Sequence, residues 1–320
     1  MNIKKLIVKI LVKKSKYNLN YPSNESKIIS SSGTGFFIKN NFILTCYHVI
    51  EDHDQIKVRS KKSKKEFNVI VHSIYPDDDL AILYIKDNLV NMTSEIPIKI
   101  LDEEISDDQY VTALGYPLDS NNLKVSKGII SGFQDSLIQT DATLNPGNSG
   151  GPLILNNKII GINAIKISSD KVDNVGYSIP IERFLVYKKT ISTDKIVKLK
   201  PKLELKFQVI KDKDQFEKFG FSNFQEKKDD NYYGVRVIKI LESSNLYKAG
   251  LRDNDFLIEW DNKIIDMFGD IKIDLFPEKI HLNEITKWYY VGQKINIKYY
   301  SKNLKKIVSY DLVLSESTLL

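Results

Sequence analysis

One cysteine stands in the 320 residues, Cys46, so no disulfide can form within the chain and no zinc site built on several thiolates is available. Histidine is almost as scarce, with His48, His53, His72 and His281 as the full set. So few nitrogen and sulfur ligands lead to the expectation of no metal and no cofactor. Arginine is short too. Of 47 basic residues only Arg59, Arg183, Arg236 and Arg252 are arginine, and the rest are lysine. Nucleic-acid readers lean on arginine for bidentate and stacked contacts, so the net charge of +6 does not indicate a nucleic-acid partner. No apolar run approaches the roughly 18 residues of a spanning helix, which leaves no expected membrane span.

What remains is 42% hydrophobic and 28% charged residues, an ordinary globular composition. The length suits about two domains at roughly 150 residues each. Lysine excess sits at the start: residues 1–50 hold eight lysines against one acid, Glu25. Lysine is mostly exposed, so these are expected on the outer face of a strand, Lys9 among them. Residues 1–14 do not read as a signal peptide, because Lys9 breaks the apolar stretch and no small-residue cleavage site follows. The expectation is an unprocessed, intracellular and cytoplasmic protein.

Residues 1–180 consist of short β-branched runs separated by turns. Gly33–Ile38 and 42–45 flank Asn40-Asn41, and 152–155 and 158–162 flank Asn156-Asn157, both hairpin signals. Further strands are expected over 56–59, 67–72, 80–85, 110–114, 125–133 and 137–140. Many short strands at this spacing indicate an antiparallel barrel or sandwich. Residues 181–189 look helical, and 190–202 are lysine-rich with little apolar periodicity. Beyond them a mixed region offers strands at 235–240, 256–260, 294–300 and 306–314, with helices at 243–249 and 277–290. The expected division is a domain over 1–188, a linker over 189–202 and a second domain over 203–320.

The strongest chemical signal is Asn145-Pro146-Gly147-Asn148-Ser149-Gly150-Gly151-Pro152. Flanking glycines let the backbone turn sharply around a serine and let amide N–H groups converge on one point, as a tetrahedral oxyanion requires. The pattern G-x-S-x-G also serves α/β-hydrolases, in which the histidine follows the serine. Here only His281 follows. Upstream, His48 lies in Thr45-Cys46-Tyr47-His48-Val49, and Asp79 opens the run Asp79-Leu80-Ala81-Ile82-Leu83. The chain order His, Asp, Ser is that of chymotrypsin-like proteases.

With these motifs in place, residues 30–185 resemble the protease domain of the HtrA (Deg) family of trypsin-like serine proteases. Gly33-Thr34-Gly35-Phe36, Ala113-Leu114-Gly115-Tyr116-Pro117, Val125–Ser131, Gln139-Thr140-Asp141-Ala142, Gly161-Ile162-Asn163 and Gly176–Pro180 carry the likeness, in family order. The resemblance implies a mainly β fold: a chymotrypsin-like double β-barrel, each barrel six-stranded, followed by a smaller mixed α/β PDZ domain. It implies His48 as general base, Asp79 as its orienting carboxylate in preference to Asp77 or Asp78, and Ser149 as nucleophile. Gly147, Asn148 and Ser149 would supply the oxyanion hole. Cys46 is read as a small buried thiol and not a nucleophile.

The resemblance also puts the specificity pocket at Thr143 and Leu144, with Ala164, Ile165 and Lys166 pairing with substrate. A pocket without an acid at Thr143 suits aliphatic residues. The C-terminal region is similar to the family's PDZ domain, which implies a carboxylate-binding loop at Tyr232, Tyr233, Gly234 and Val235, with recognition strand Arg236-Val237 for C-terminal peptides. Its segment 266–288 is longer than usual. The implied activity is endopeptidase action on unfolded or tagged polypeptides. The alternative is a catalytically silent, peptide-binding or chaperone-like adaptor. A homotrimer is the family's common assembly, and only a short strand-like segment stands before the barrel motifs to build it.

Overall fold

The computed structural model describes residues 3–16, 27–39, 41–60, 65–86, 105–164, 175–188, 200–210, 213–219 and 234–316. The chain forms two compact units, Met1–Lys198 and Leu199–Leu320.

The first unit opens with β1 (Ile7–Lys16), β2 (Lys27–Lys39) and β3 (Phe42–Cys46), then the single turn α1 (Tyr47–Ile50). β4 (Gln55–Ser60), β5 (Phe67–Asn68), β6 (Ile70–Tyr75) and β7 (Leu80–Tyr84) follow. They make one antiparallel sheet in the order β5-β4-β1-β2-β3-β7-β6. Its two ends, β5 and β6, are halves of one stretch interrupted at Val69, so the sheet comes back on itself and amounts to six strands with one broken. Val8 and Ile10 on one face of this sheet, and Ile7, Phe36, Leu44 and Ile82 on the other, are all buried. β7 is buried over Leu80–Leu83 without alternation, as expected of a strand covered on both faces.

The second barrel is closed: β8 (Tyr110–Gly115), β9 (Lys124–Gln134), β10 (Leu137–Thr140), β11 (Pro152–Leu155), β12 (Lys158–Ala164) and β13 (Gly176–Pro180) run in the order β10-β13-β12-β11-β8-β9. Asp135-Ser136 and Asn156-Asn157 join their hairpins, each pair with both φ angles positive, the geometry of a tight primed turn. Helix α2 (Ile181–Lys188) follows.

One lysine of the N-terminal cluster departs from expectation. Lys9 is 2% exposed. In a strand alternate side chains share a face, and the face of β1 carrying Ile7 and Lys9 is covered by the second barrel, which β1 touches at β8. The buried amine is paired, 2.6 Å from a carboxylate oxygen of Asp119 and 2.7 Å from its carbonyl oxygen.

The second unit comprises β14 (Leu205–Val209), α3 (Lys213–Lys218), β15 (Val235–Ile240), α4 (Asn245–Lys248), β16 (Phe256–Trp260), β17 (Lys263–Ile264), β18 (Asp270–Lys272), β19 (Lys279–His281), β20 (Lys294–Ser301) and β21 (Lys306–Val313). The main sheet runs β14-β15-β16-β20-β21, with β17 also on β16. Ser244 caps α4 by accepting from the Tyr247 N–H at 3.1 Å. Lys200, expected in the linker, is buried in this unit with its amine on the carbonyls of Lys287 and Tyr289.

Two expectations for this unit fail. Residues 277–290 do not form a helix: β18 and β19 pair as a short hairpin, and a 3₁₀ turn covers Ile285–Trp288. Alternation around the buried Ile280, with Lys279 and His281 on the outer side, suits a strand. The proposed peptide-recognition strand is also closed. β15 lies between β14 and β16, hydrogen-bonded on both sides, and the Gly234 N–H is spent on the Ile265 carbonyl at 2.6 Å. An added strand at Arg236-Val237 has no edge to join, and Val235 is fully buried. Tyr232 and Tyr233 lie outside the described residues.

Candidate active site

Strand pairing brings the first two groups together. Cys46 at the end of β3 faces Leu80 at the start of β7, so the residues just beyond, α1 and Asp79, are neighbours. Asp79 closes a 3₁₀ turn over Pro76–Asp78 in the left-handed conformation, φ 53° and ψ 39°. That bend turns both carboxylate oxygens onto His48: Oδ1 accepts from the His48 backbone N–H at 2.8 Å, and Oδ2 meets Nδ1 at 2.7 Å. The Tyr47 N–H donates to the Asp79 carbonyl at 3.0 Å. With Nδ1 engaged, Nε2 is the nitrogen left to exchange a proton. The two side chains are 41% and 34% exposed, open to a substrate.

Asp78 has a different task. Its carboxylate is buried and receives both Nε and Nη2 of Arg183 on one oxygen, at 2.9 and 2.5 Å, and the Tyr187 hydroxyl on the other at 2.5 Å. Helix α2 thus clamps the turn that presents Asp79. The rings of Tyr75 and Tyr187 lie against each other, 3.8 Å between centroids. Burial and the Asp78 charge push the Tyr187 hydroxyl pKa far up, so it stays a donor. Sequence reading passed over Arg183 and Tyr187. Arginine in a chain with so little of it was the available signal.

The serine loop is tied to the first barrel through Thr34. The Thr34 N–H donates to the Ser149 carbonyl at 2.9 Å and its hydroxyl to the Gly147 carbonyl at 2.6 Å. The same hydroxyl accepts from the Tyr116 N–H at 3.0 Å. Gly150, at φ 83°, donates to the Asn163 carbonyl at 2.8 Å, and the Cys46 thiol also points to that oxygen, at 3.4 Å. A Cβ on Gly150 would lie 2.2 Å from both the Thr34 carbonyl and the Thr45 hydroxyl and 3.0 Å from the Cys46 N. Ser149 is therefore one residue from a point of contact with the strand end that carries His48.

In the loop expected to form the oxyanion hole, Gly147 has φ 100° and a Cβ there would meet the Tyr116 carbonyl at 2.4 Å. The Pro146 carbonyl accepts from the Leu118 N–H at 2.7 Å. Carbonyl and N–H point oppositely across a trans peptide, so the Gly147 N–H is directed away from Leu118. Asn148 does not belong with the oxyanion donors, because its N–H is turned back onto the Asn145 carbonyl at 2.9 Å, closing the turn.

Thr143 is exposed and Leu144 half-buried. A Cβ on Gly176 would run into the Leu144 side chain at 2.7 Å, so this glycine makes room for that leucine. Ala164, the last residue of β12, pairs with Tyr177 and is buried. Ile165 and Lys166 lie outside the described residues.

Cys46, His48 and Asp79 offer ligand atoms within 4.8 Å of one another. They are poor company for a metal. Burial, then the Asp79 charge, raise the thiol pKa well above its usual range, and both Asp79 oxygens are already used by His48.

Residues 33–162 match the family model of the trypsin-like peptidase domain. The first unit is thus a trypsin-like peptidase domain by sequence as well as by its paired barrels. Protease Do-like 4, mitochondrial, of Arabidopsis thaliana is 38% identical over 179 residues, 52% of this chain and 33% of that protein. Serine protease Do-like HtrA of Bacillus subtilis (strain 168) is 30% identical over 305 residues, 83% of this chain and 64% of that protein. HtrA-type protease AlgW with decapeptide shares the fold at a TM-score of 0.70 and 20% identity, over 99% of this chain and 97% of that one. Residues 33–162 are thus a trypsin-like peptidase domain, and the chain is similar to HtrA-type serine proteases over most of its length. It spans from a third to just under two thirds of the length of these two curated relatives. No helix among the described residues is long and apolar enough to cross a membrane.

Proposed function

We propose that the chain is a serine endopeptidase that cuts unfolded or tagged polypeptides through an acyl-enzyme on Ser149. The observation that carries this reading is the double engagement of Asp79 with His48, at 2.8 and 2.7 Å, which orients the imidazole with Nε2 free. Ser149 Oγ attacks the scissile carbonyl carbon while its proton passes to Nε2 of His48. The resulting oxyanion is held by the N–H groups of Gly147 and Ser149. His48 then protonates the leaving amine, and the peptide C–N bond breaks. Water, deprotonated by the same imidazole, releases the acid and restores the serine. Thr143 and Leu144 form the side-chain pocket and favour aliphatic residues, and Ala164, Ile165 and Lys166 pair with the substrate backbone.

The second unit acts as a PDZ-like module for C-terminal peptides. Among the described residues β14 is paired with β15 alone, which supports this strand, and not β15, as the edge an extended peptide joins. A homotrimer and a cytoplasmic location are part of the same reading, the former measurable by light scattering.

A fluorophosphonate probe tests the enzyme. Covalent labelling of the wild type at Ser149, absent in Ser149→Ala, with casein hydrolysis lost in step, is the expected result. A wild type that binds peptides yet never labels would instead be the silent adaptor.

A further inference from the structure

Lys9 is buried at 2% exposure, a costly place for an ammonium, and it reaches 110 residues along the chain to Asp119. Its Nζ holds both the carbonyl and the carboxylate of that residue, at 2.7 and 2.6 Å. The carboxylate itself is 78% exposed. The amine therefore meets a rim group from the inside, where water cannot replace it. The pairing holds the Asp119 carboxyl below its usual range, first through the Lys9 hydrogen bond and then through Ser32.

What this contact holds is an unfavourable backbone. Leu118 and Asp119 both sit in the left-handed region, with φ of 51° and 56°. Such a conformation in a bulky residue persists only where its surroundings impose it. Leu118 has no packing reason for it, since its side chain is 73% exposed. Three anchors impose the turn: Lys9 on Asp119, Arg59 Nη2 on the Asn121 side chain at 2.6 Å, and the Ser120 N–H on the Pro117 carbonyl at 2.9 Å. Its product is the Leu118 N–H, aimed at the Pro146 carbonyl at 2.7 Å. Rotating the Pro146–Gly147 peptide by half a turn would break that bond and withdraw the Gly147 N–H from the oxyanion.

We infer that Lys9 is a positioning residue for the oxyanion hole, holding through Asp119 the left-handed turn whose Leu118 N–H locks the Pro146–Gly147 peptide in its productive orientation. The inference rests on the reading of Ser149 as nucleophile only for its kinetic consequence. Its structural half stands apart. The N-terminal strand thereby supplies the cation that keeps the hole assembled, and the catalytic pair His48–Asp79 is untouched by it.

The test uses the full chain with Lys9→Met, which keeps the length and removes the charge, and Asp119→Asn, which keeps a residue type tolerant of the left-handed region. Hydrogen exchange over residues 116–120 is expected to quicken about tenfold in Lys9→Met, with β10–β13 unchanged, because local opening raises exchange only where bonds are lost. For peptide hydrolysis kcat is expected to fall about 10²-fold with KM steady, the signature of a lost oxyanion donor, and affinity for a peptide boronate to fall with it. Asp119→Asn should show the same pattern more weakly. A folded Lys9→Met with unchanged exchange and unchanged boronate affinity overturns the inference, as does a loss confined to KM. If Lys9→Met does not fold, Asp119→Asn decides by the same two readings. A wild type inert toward substrate and boronate would fail the endopeptidase reading, while exchange over 116–120 would still decide the role of Lys9.

Discussion

Two glycines, one in each unit, were each expected to offer backbone N–H groups to a ligand, and they differ in what the fold leaves over. Gly147 and Gly234 share nearly the same left-handed backbone, φ 100° and 102°, and each packs against a carbonyl that a Cβ would strike. At Gly147 the preceding carbonyl is held by Leu118, which turns the amide out of the fold. At Gly234 the amide is consumed by Ile265 inside the sheet. A glycine-rich turn is a ligand site only where tertiary bonding leaves its N–H groups unspent. The first unit meets that condition beside Ser149, and the second does not at the place sequence reading had chosen.

The sharpest way to break the comparison is Ser149→Ala, expected to lower kcat about 10⁶-fold, as in a triad stripped of its nucleophile, with melting unchanged by calorimetry. Gly147→Ala comes next. Its Cβ would lie 2.4 Å from the Tyr116 carbonyl, so the peptide must turn, and a loss of about 10²–10³ in kcat is expected. Arg183→Leu would strand the buried Asp78 carboxylate and destabilise the first unit by about 3–5 kcal/mol in denaturant titration. Gly234→Ala is expected to cost the second unit about 1–3 kcal/mol with no catalytic signature of its own, since strain at that site is structural. Equal loss of probe labelling in Gly234→Ala and Gly147→Ala would erase the distinction drawn here.

The smallest effect concerns Cys46. Its thiol pKa is raised by burial, so in native protein it should resist iodoacetamide at a pH of about 9, where an exposed thiol near 8.5 is largely ionised. Because the folded pKa is the higher one, stability is complete below the unfolded thiol's pKa and declines as pH rises beyond it. A Cys46→Ala chain should lose that part of the alkaline decline in melting temperature.

Much of the first unit was legible in the chain. Strands 137–140 and 152–155, and the hairpin across Asn156-Asn157, stand where alternation and turn residues put them, because those signals are local. So does the strand at 235–240 in the second unit. The helix expected at 277–290 failed because a run of Ile280, Leu282, Ile285 and Trp288 fits helical and extended spacing alike, and pairing with β18 decided for a strand at its start. Asp79 stood out only by its place before an apolar run. Its neighbour Asp78 was set aside on that ground alone, and the structure spends it on Arg183.

The order His48, Asp79, Ser149, the glycines around the serine and the strand spacing belong to the chain alone, since each is read along the sequence without knowing what folds against what. Folding decided which amides stay free, what the neighbouring Asp78 holds, and that Lys9, Thr34 and Arg183 serve the site. Those partners lie 105 to 113 residues away, at Asp119, Gly147 and Asp78. No local pattern encodes such pairings, because they exist only when two barrels close on each other and exclude the water that would otherwise satisfy the same groups.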